Sequence, residues 1–207
     1  MQKIIQKANT KEDSNFILGS GSPRRRELLG EILNDFKVVV SDAEEIVSHP
    51  GGPIHLVQEN ATLKAHSVAN LHPENWVLGA DTLVALGEAV LGKPKDREEA
   101  FTMLRLLSGQ THEVSTGLCL INRGQNYEKS LVESSRVTFK HINDEILEKY
   151  FQEVNPLDKA GGYAIQTRAD LIIEKFEGSH SNVIGLPLEL LGAWLKELGI
   201  IPMGKVV

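Results

Sequence analysis

The chain has 207 residues, of which 41% are hydrophobic and 24% charged, and its formal net charge is −6. These are globular proportions with enough chain to bury a core without disulfides, and the acidic balance argues against broad nucleic-acid binding, which needs a basic face. No stretch of about 18 apolar residues is present, so no membrane span is expected.

Residues 1–15 are polar and mixed in charge, without the apolar centre of a signal peptide. They read as a flexible N-terminal extension of one domain covering residues 1–207. An apolar run, Phe16-Ile17-Leu18, reads as a short buried strand, broken by Gly19-Ser20-Gly21. Ser22 and Pro23 then look like an N-cap and the first helical position of a helix over residues 23–34. Arg24, Arg25 and Arg26 fill its first turn, against the helix dipole, at a cost of about 0.3–1 kcal/mol each. A capping box would place Glu or Gln where Arg25 stands. A rule broken at a strand–loop–helix junction points to function, and arginines beside free backbone N–H groups suit a phosphate chain.

Residues 36–40 read as a short strand, 41–53 as an acidic loop and 54–70 as a second helix. Residues 76–86 read as a buried strand interrupted by Asp81, with Gly87-Glu88 turning it into a hairpin with Ala89-Val90-Leu91. Asp96 caps a third helix, which Gly109 ends. Two long strands follow, 111–121 and 127–139. Asn143 or Asp144 opens a fourth helix that stops before Pro156. Residues 171–176 read as a strand and 186–198 as the last helix. The single cysteine, Cys119, lies in an apolar run and reads as a core thiol in a reducing compartment, so a cytoplasmic location is expected. The alternation of α/β units with one long antiparallel pair predicts an α/β fold on a mixed, curved sheet with flanking helices.

Asp81 stands in an apolar strand, where a carboxylate is costly unless paired or bound to a cation. Two readings stand: a carboxylate hydrogen-bonded to a neighbouring loop, or a general base or magnesium ligand at a strand end. Glu44 and Glu45 offer a second carboxylate or a solvated acidic loop. Lys64 and Lys93 gain meaning only by converging with the arginine turn. Two carboxylates for a metal and several cations for phosphates make a kit for cleaving a phosphoanhydride. In Asp158-Lys159-Ala160-Gly161-Gly162-Tyr163-Ala164-Ile165-Gln166 the two glycines permit close backbone approach to a ligand, and Gln166 has an amide suited to reading a base edge. A plain turn into a strand is the alternative. No GxxxxGK[ST] occurs and no GxGxxG follows a strand. The seven histidines lack zinc-site spacing. Ser108 and His112 are better explained by a helix stop than by a nucleophile elbow.

Taken in order, these segments resemble the Maf family of nucleoside triphosphate pyrophosphatases. The matches are Ser20-Gly21-Ser22-Pro23-Arg24-Arg25 with Glu27-Leu28-Leu29; Glu44-Glu45; Lys64-Ala65; Gly79-Ala80-Asp81-Thr82; Gly92-Lys93-Pro94; Leu107-Ser108-Gly109 with His112; Asp158-Lys159-Ala160-Gly161 with Tyr163, Ile165 and Gln166; and Gly185-Leu186-Pro187. The resemblance implies a cleft between two lobes, similar to inosine triphosphate pyrophosphatases. It implies cleavage of a nucleoside triphosphate to monophosphate and pyrophosphate with a divalent metal, Mg²⁺ or Mn²⁺. Asp81 matches the proton acceptor, and Arg24, Thr82 and Gln166 match the positions that set base preference, here for dTTP and UTP. Ser20, Arg25, Lys64 and Lys93 are expected to hold phosphates, and Glu45 with Asp81 the metal. A homodimer is the family expectation. The rivals are the same reaction on 7-methyl-GTP or a modified nucleotide, and a nucleotide-sensing regulator of cell division. Gly162, Ala164 and Thr167 depart from the family's alanine, glycine and glycine. Threonine does not easily take positive φ, so the loop around Gln166 is expected to differ in shape.

Overall fold

The computed structural model describes residues 14–202. The extension expected at the N-terminus lies almost wholly outside these residues. Three buried residues form β1 (Phe16–Leu18), whose parallel partners are β2 (Lys37–Val38) and β3 (Trp76–Leu86). The sheet then turns antiparallel through β5 (Thr111–Asn122), β6 (Tyr127–Phe139) and β7 (Ile173–Glu177). β4 (Ala89–Leu91) folds back on the far end of β3. The result is a seven-stranded mixed sheet, ordered β2-β1-β3-β5-β6-β7 with β4 off the path. β3 is buried almost throughout, as a strand covered on both faces must be.

Period-two alternation divides β3 between two cores. Trp76, Leu78 and Ala80 pack with α1 (Pro23–Ile32) and α7 (Leu188–Glu197), around Leu29, Leu191 and Trp194. Val77 packs on the other face against Ala61, Ala65 and Val68 of α2 (Pro53–Leu71). This helix lies unusually close to the sheet, because the strand residues beneath it are glycines. A Cβ at Gly79 would stand 2.2 Å from the Ala61 carbonyl oxygen, and one at Gly117 2.5 Å from that of Val57. A third core, around Leu104, Phe139, Leu147 and Tyr150, joins the far end of the sheet to α3 (Arg97–Leu107) and α4 (Asp144–Glu153). Val84, Val114 and Tyr163 of the far core and Ile184, packed against the first, line one cavity.

Several boundaries differ from the sequence reading. Asn143, not Asp144, caps α4, its side chain accepting from the Ile146 N–H. The strand expected at 171–176 begins at Ile173, because residues 169–172 wind one helical turn, α5 (Ala169–Ile172). The last helix starts at Leu188, with Pro187 as its N-cap residue. A short helix, α6 (His180–Ile184), was not expected; Ser179 caps it by accepting from Asn182 N–H. Five residues are too few for a readable apolar period. Cys119 is buried, which pushes its thiol pKa up and suits the reading of a core residue. No described helix is long and apolar enough to cross a membrane.

Candidate active site

β1 ends at Leu18, paired with Leu78, and β4 rejoins the same edge of β3 only at Val84. In between, residues 79–83 have no partner strand on that side in the described sheet. The chain leaves β1 through loop 19–22, where the Gly19 N–H still bonds the Leu78 carbonyl, and enters α1, whose Arg25 side chain reaches Thr82 on this edge. Asp81 and Thr82 are neighbours on this open edge, and strand alternation sends their side chains to opposite faces.

On the α2 face, Asp81 meets Lys64. The ammonium donates to Asp81 Oδ1 at 2.7 Å and lies 2.9 Å from Glu45 Oε1. Lys64 and Asp81 are each only 12% exposed at the side chain, whereas Glu45 is open at 56%. Of the two adjacent acids, Glu45 is the one that reaches Lys64. Among the described residues the hydrogen-bond partner of the Asp81 carboxylate is a cation from a packed helix and not a neighbouring loop. Two carboxylates converging on one cation form a donor set suited to a hard divalent ion, which commonly takes one or two carboxylates together with substrate phosphates. No group of three or more potential metal-binding side chains occurs among the described residues.

On the other face, Thr82 meets Arg25. Arg25 donates from Nη2 to Thr82 Oγ1 at 2.9 Å, from Nη1 to Ser20 Oγ at 3.1 Å and from Nε to the Gly185 carbonyl at 2.9 Å. Thr82 Oγ1 is also 3.0 Å from Thr116 Oγ1 on the adjacent strand. Burial lowers the Arg25 pKa, and the charges of Asp81 and Glu45 act in the opposite sense. The carboxylate pair and the guanidinium thus sense each other around one strand edge. Ser22 does cap α1, its hydroxyl accepting from Arg25 N–H at 3.4 Å. Arg26 is exposed.

Next to Arg25 opens a cavity of about 100 Å³, walled by Arg24, Arg25, Thr82, Lys93, the segment 158–160, residues 163–166 and the end of α6. Arg24, Arg25, Thr82, Lys93 and Gln166 therefore share one cavity. Ser20 stands behind Arg25, and Glu45, Lys64 and Asp81 lie outside the cavity wall. The sequence reading did not anticipate the partner of Arg24: its guanidinium binds the Asp158 carboxylate and, at 2.8 Å, the Asp158 carbonyl. Burial opposes ionisation of Asp158, but hydrogen bonds from Lys159 and Arg24 prevail and hold its carboxyl below the usual range. Asp158 heads the motif that ends in Gln166, and that was the available signal.

The loop departs from expectation at one residue. Positive φ falls on Gly161 (68°), Gly162 (74°) and Arg168 (50°), not on Thr167, so the threonine imposes no left-handed strain. Gly162 instead uses its lack of a side chain where alanine would be strained.

The chain belongs to the Maf family, whose model, described as Maf-like protein, matches residues 15–198. Among its relatives, the dTTP/UTP pyrophosphatase of Bacillus cytotoxicus is 44% identical over 183 residues, 88% of this chain and 94% of that protein. The protein of the same name from Myxococcus xanthus is 46% identical over 185 residues, 89% and 92% of the two chains. That of Thermococcus gammatolerans is 44% identical over 184 residues, 88% and 96%.

Proposed function

We propose that this protein hydrolyses nucleoside triphosphates, dTTP and UTP foremost, to the nucleoside monophosphate and pyrophosphate. The observation that carries the reaction is the open edge of β3. It sets a carboxylate pair with its lysine on one side and a guanidinium-walled cavity on the other. The names of the relatives supply the base preference.

In this reading the base and sugar occupy the cavity and the triphosphate crosses the edge. Water attacks the α-phosphorus, Asp81 accepts its proton, and the bond to the bridging oxygen breaks, releasing pyrophosphate. Arg24, Arg25, Lys64 and Lys93 offset the phosphate charge as it shifts toward the leaving group, and Ser20 orients Arg25. Glu45 and Asp81 would hold Mg²⁺ or Mn²⁺, which supplies charge neutralisation at the phosphoanhydride. Arg24, Thr82 and Gln166 select the base. Arg24 is shared with Asp158, so the incoming nucleotide has to compete with that carboxylate for its donors. We further propose a cytoplasmic homodimer, which light scattering on the purified protein tests.

The deciding experiment is pyrophosphate release, with Mg²⁺, across dTTP, UTP, CTP, 7-methyl-GTP and the purine triphosphates. Preference for dTTP and UTP is expected. Preference for 7-methyl-GTP would move the chain to that substrate, and tight binding without pyrophosphate release would make it a nucleotide sensor.

A further inference from the structure

Behind the cavity wall lies a buried polar group that the reaction does not use. Tyr150 belongs to α4, in the far core, and is fully buried. Its hydroxyl accepts the Ala164 N–H at 2.9 Å and donates to the Ala164 carbonyl at 3.1 Å. Both polar groups of one backbone residue are thus bound by one side-chain oxygen, as an adjacent strand would bind them. Ala164 lies in the cavity wall, two residues before Gln166. The residue before it is pinned as well. Tyr163 packs edge-on against Phe139 and His112, with ring centroids 4.9 and 5.4 Å away, and its hydroxyl is 2.7 Å from His112 Nε2. Just upstream, Gly161 and Gly162 hold the segment by backbone alone, their N–H groups bonded to the Gly92 and Lys159 carbonyls.

We infer that Tyr150 is a positioning residue for base selection: its hydroxyl stands in for a missing strand partner and fixes the register at which Gln166 meets the nucleobase. This rests on the function proposed above and names what holds its specificity loop. Tyr150 touches no substrate. Its effect passes through Ala164 to Gln166, so it acts on recognition of the base and not on the water attack at the strand edge.

The test is Tyr150→Phe, which keeps the ring in the core and removes only the hydroxyl. Its KM for dTTP should rise about tenfold, the worth of one to two ordinary hydrogen bonds. Its kcat should stay within about twofold of wild type, and its preference for dTTP over CTP should narrow. Wild-type turnover with Y150F matching it in KM and preference overturns the positioning role alone. A wild type that cleaves no nucleotide overturns the proposed function and this role with it. If Y150F does not fold, amide exchange on the wild-type protein decides: the Ala164 N–H should be protected about 100-fold or more, as a strand amide is. Free exchange there overturns the clamp.

Discussion

The two faces of the β3 edge are built differently. On the α2 face, Lys64 and Asp81 come from the middle of a long helix and a long strand, drawn together by Gly79 and Gly117, over which the helix backbone rests. On the other face, the cavity is walled largely by loop: Lys93 after a hairpin, Asp158 to Gln166 around two left-handed glycines, and Gly185 at a helix end. Lys64 and Asp81, proposed for the chemistry, thus sit on a long helix and a long strand, whereas Gln166, proposed for base selection, sits on a loop whose Ala164 is held by Tyr150. Substitutions of Asp81 and Lys64 should strike kcat and those of Thr82 and Gln166 KM and base preference, with Arg24, Arg25 and Lys93, assigned to the phosphates, between them.

The sharpest break is Asp81→Asn. Loss of a general base costs typically 10²- to 10⁴-fold, and pyrophosphate release from dTTP should show it in kcat while nucleotide binding persists. Near-normal turnover would remove Asp81 from its role. Arg25→Met comes next, since three acceptors around the guanidinium lose their donor; stability in urea denaturation should fall by about 2–4 kcal/mol. A loss below about 0.5 kcal/mol, the range of an ordinary surface change, would show that Arg25 does not tie α1 to β3 and Gly185.

Acid should also destabilise the fold through a buried imidazole. Burial lowers the His112 pKa from 6.5 to about 4. Above pH 6.5 both folded and unfolded chains hold it neutral. As pH falls below 6.5 the unfolded state takes up a proton that the folded state refuses, so stability drops, by about 3 kcal/mol once pH 4 is reached. His112→Gln should flatten that part of the acid denaturation curve; an unchanged slope would place the acid sensitivity elsewhere. The smallest effect is expected of Gln166→Ala. The dTTP preference should narrow by about tenfold, one good polar contact, at nearly unchanged kcat. A matching fall in kcat instead would tie the loop to the chemistry and dissolve the contrast between the two faces.

Much of this was legible along the chain. The Ser22 cap, the misplaced arginines and the carboxylate inside an apolar strand are local violations or signatures, written in consecutive residues and readable by period and position. Asp158 as the partner of Arg24 was not, because their contact closes 134 residues of chain. Nor was the Tyr150 hydroxyl on Ala164: a tyrosine on a helix face reads as core, and only the packing of α4 against the loop gives its oxygen a task. The short α6 escaped because one turn held by a serine cap has no periodicity.

By itself, then, the sequence determined the kinds of element and the inventory of charges, since helix and strand periods and capping chemistry act over a few residues. Only the tertiary structure decided which charges meet. The glycines that lower α2 onto the sheet set the Lys64–Asp81 pair. The early end of β1 opens the edge of β3. Alternation along that strand then turns two adjacent residues, Asp81 and Thr82, toward opposite faces and different neighbours, and those neighbours come from segments far away in the chain.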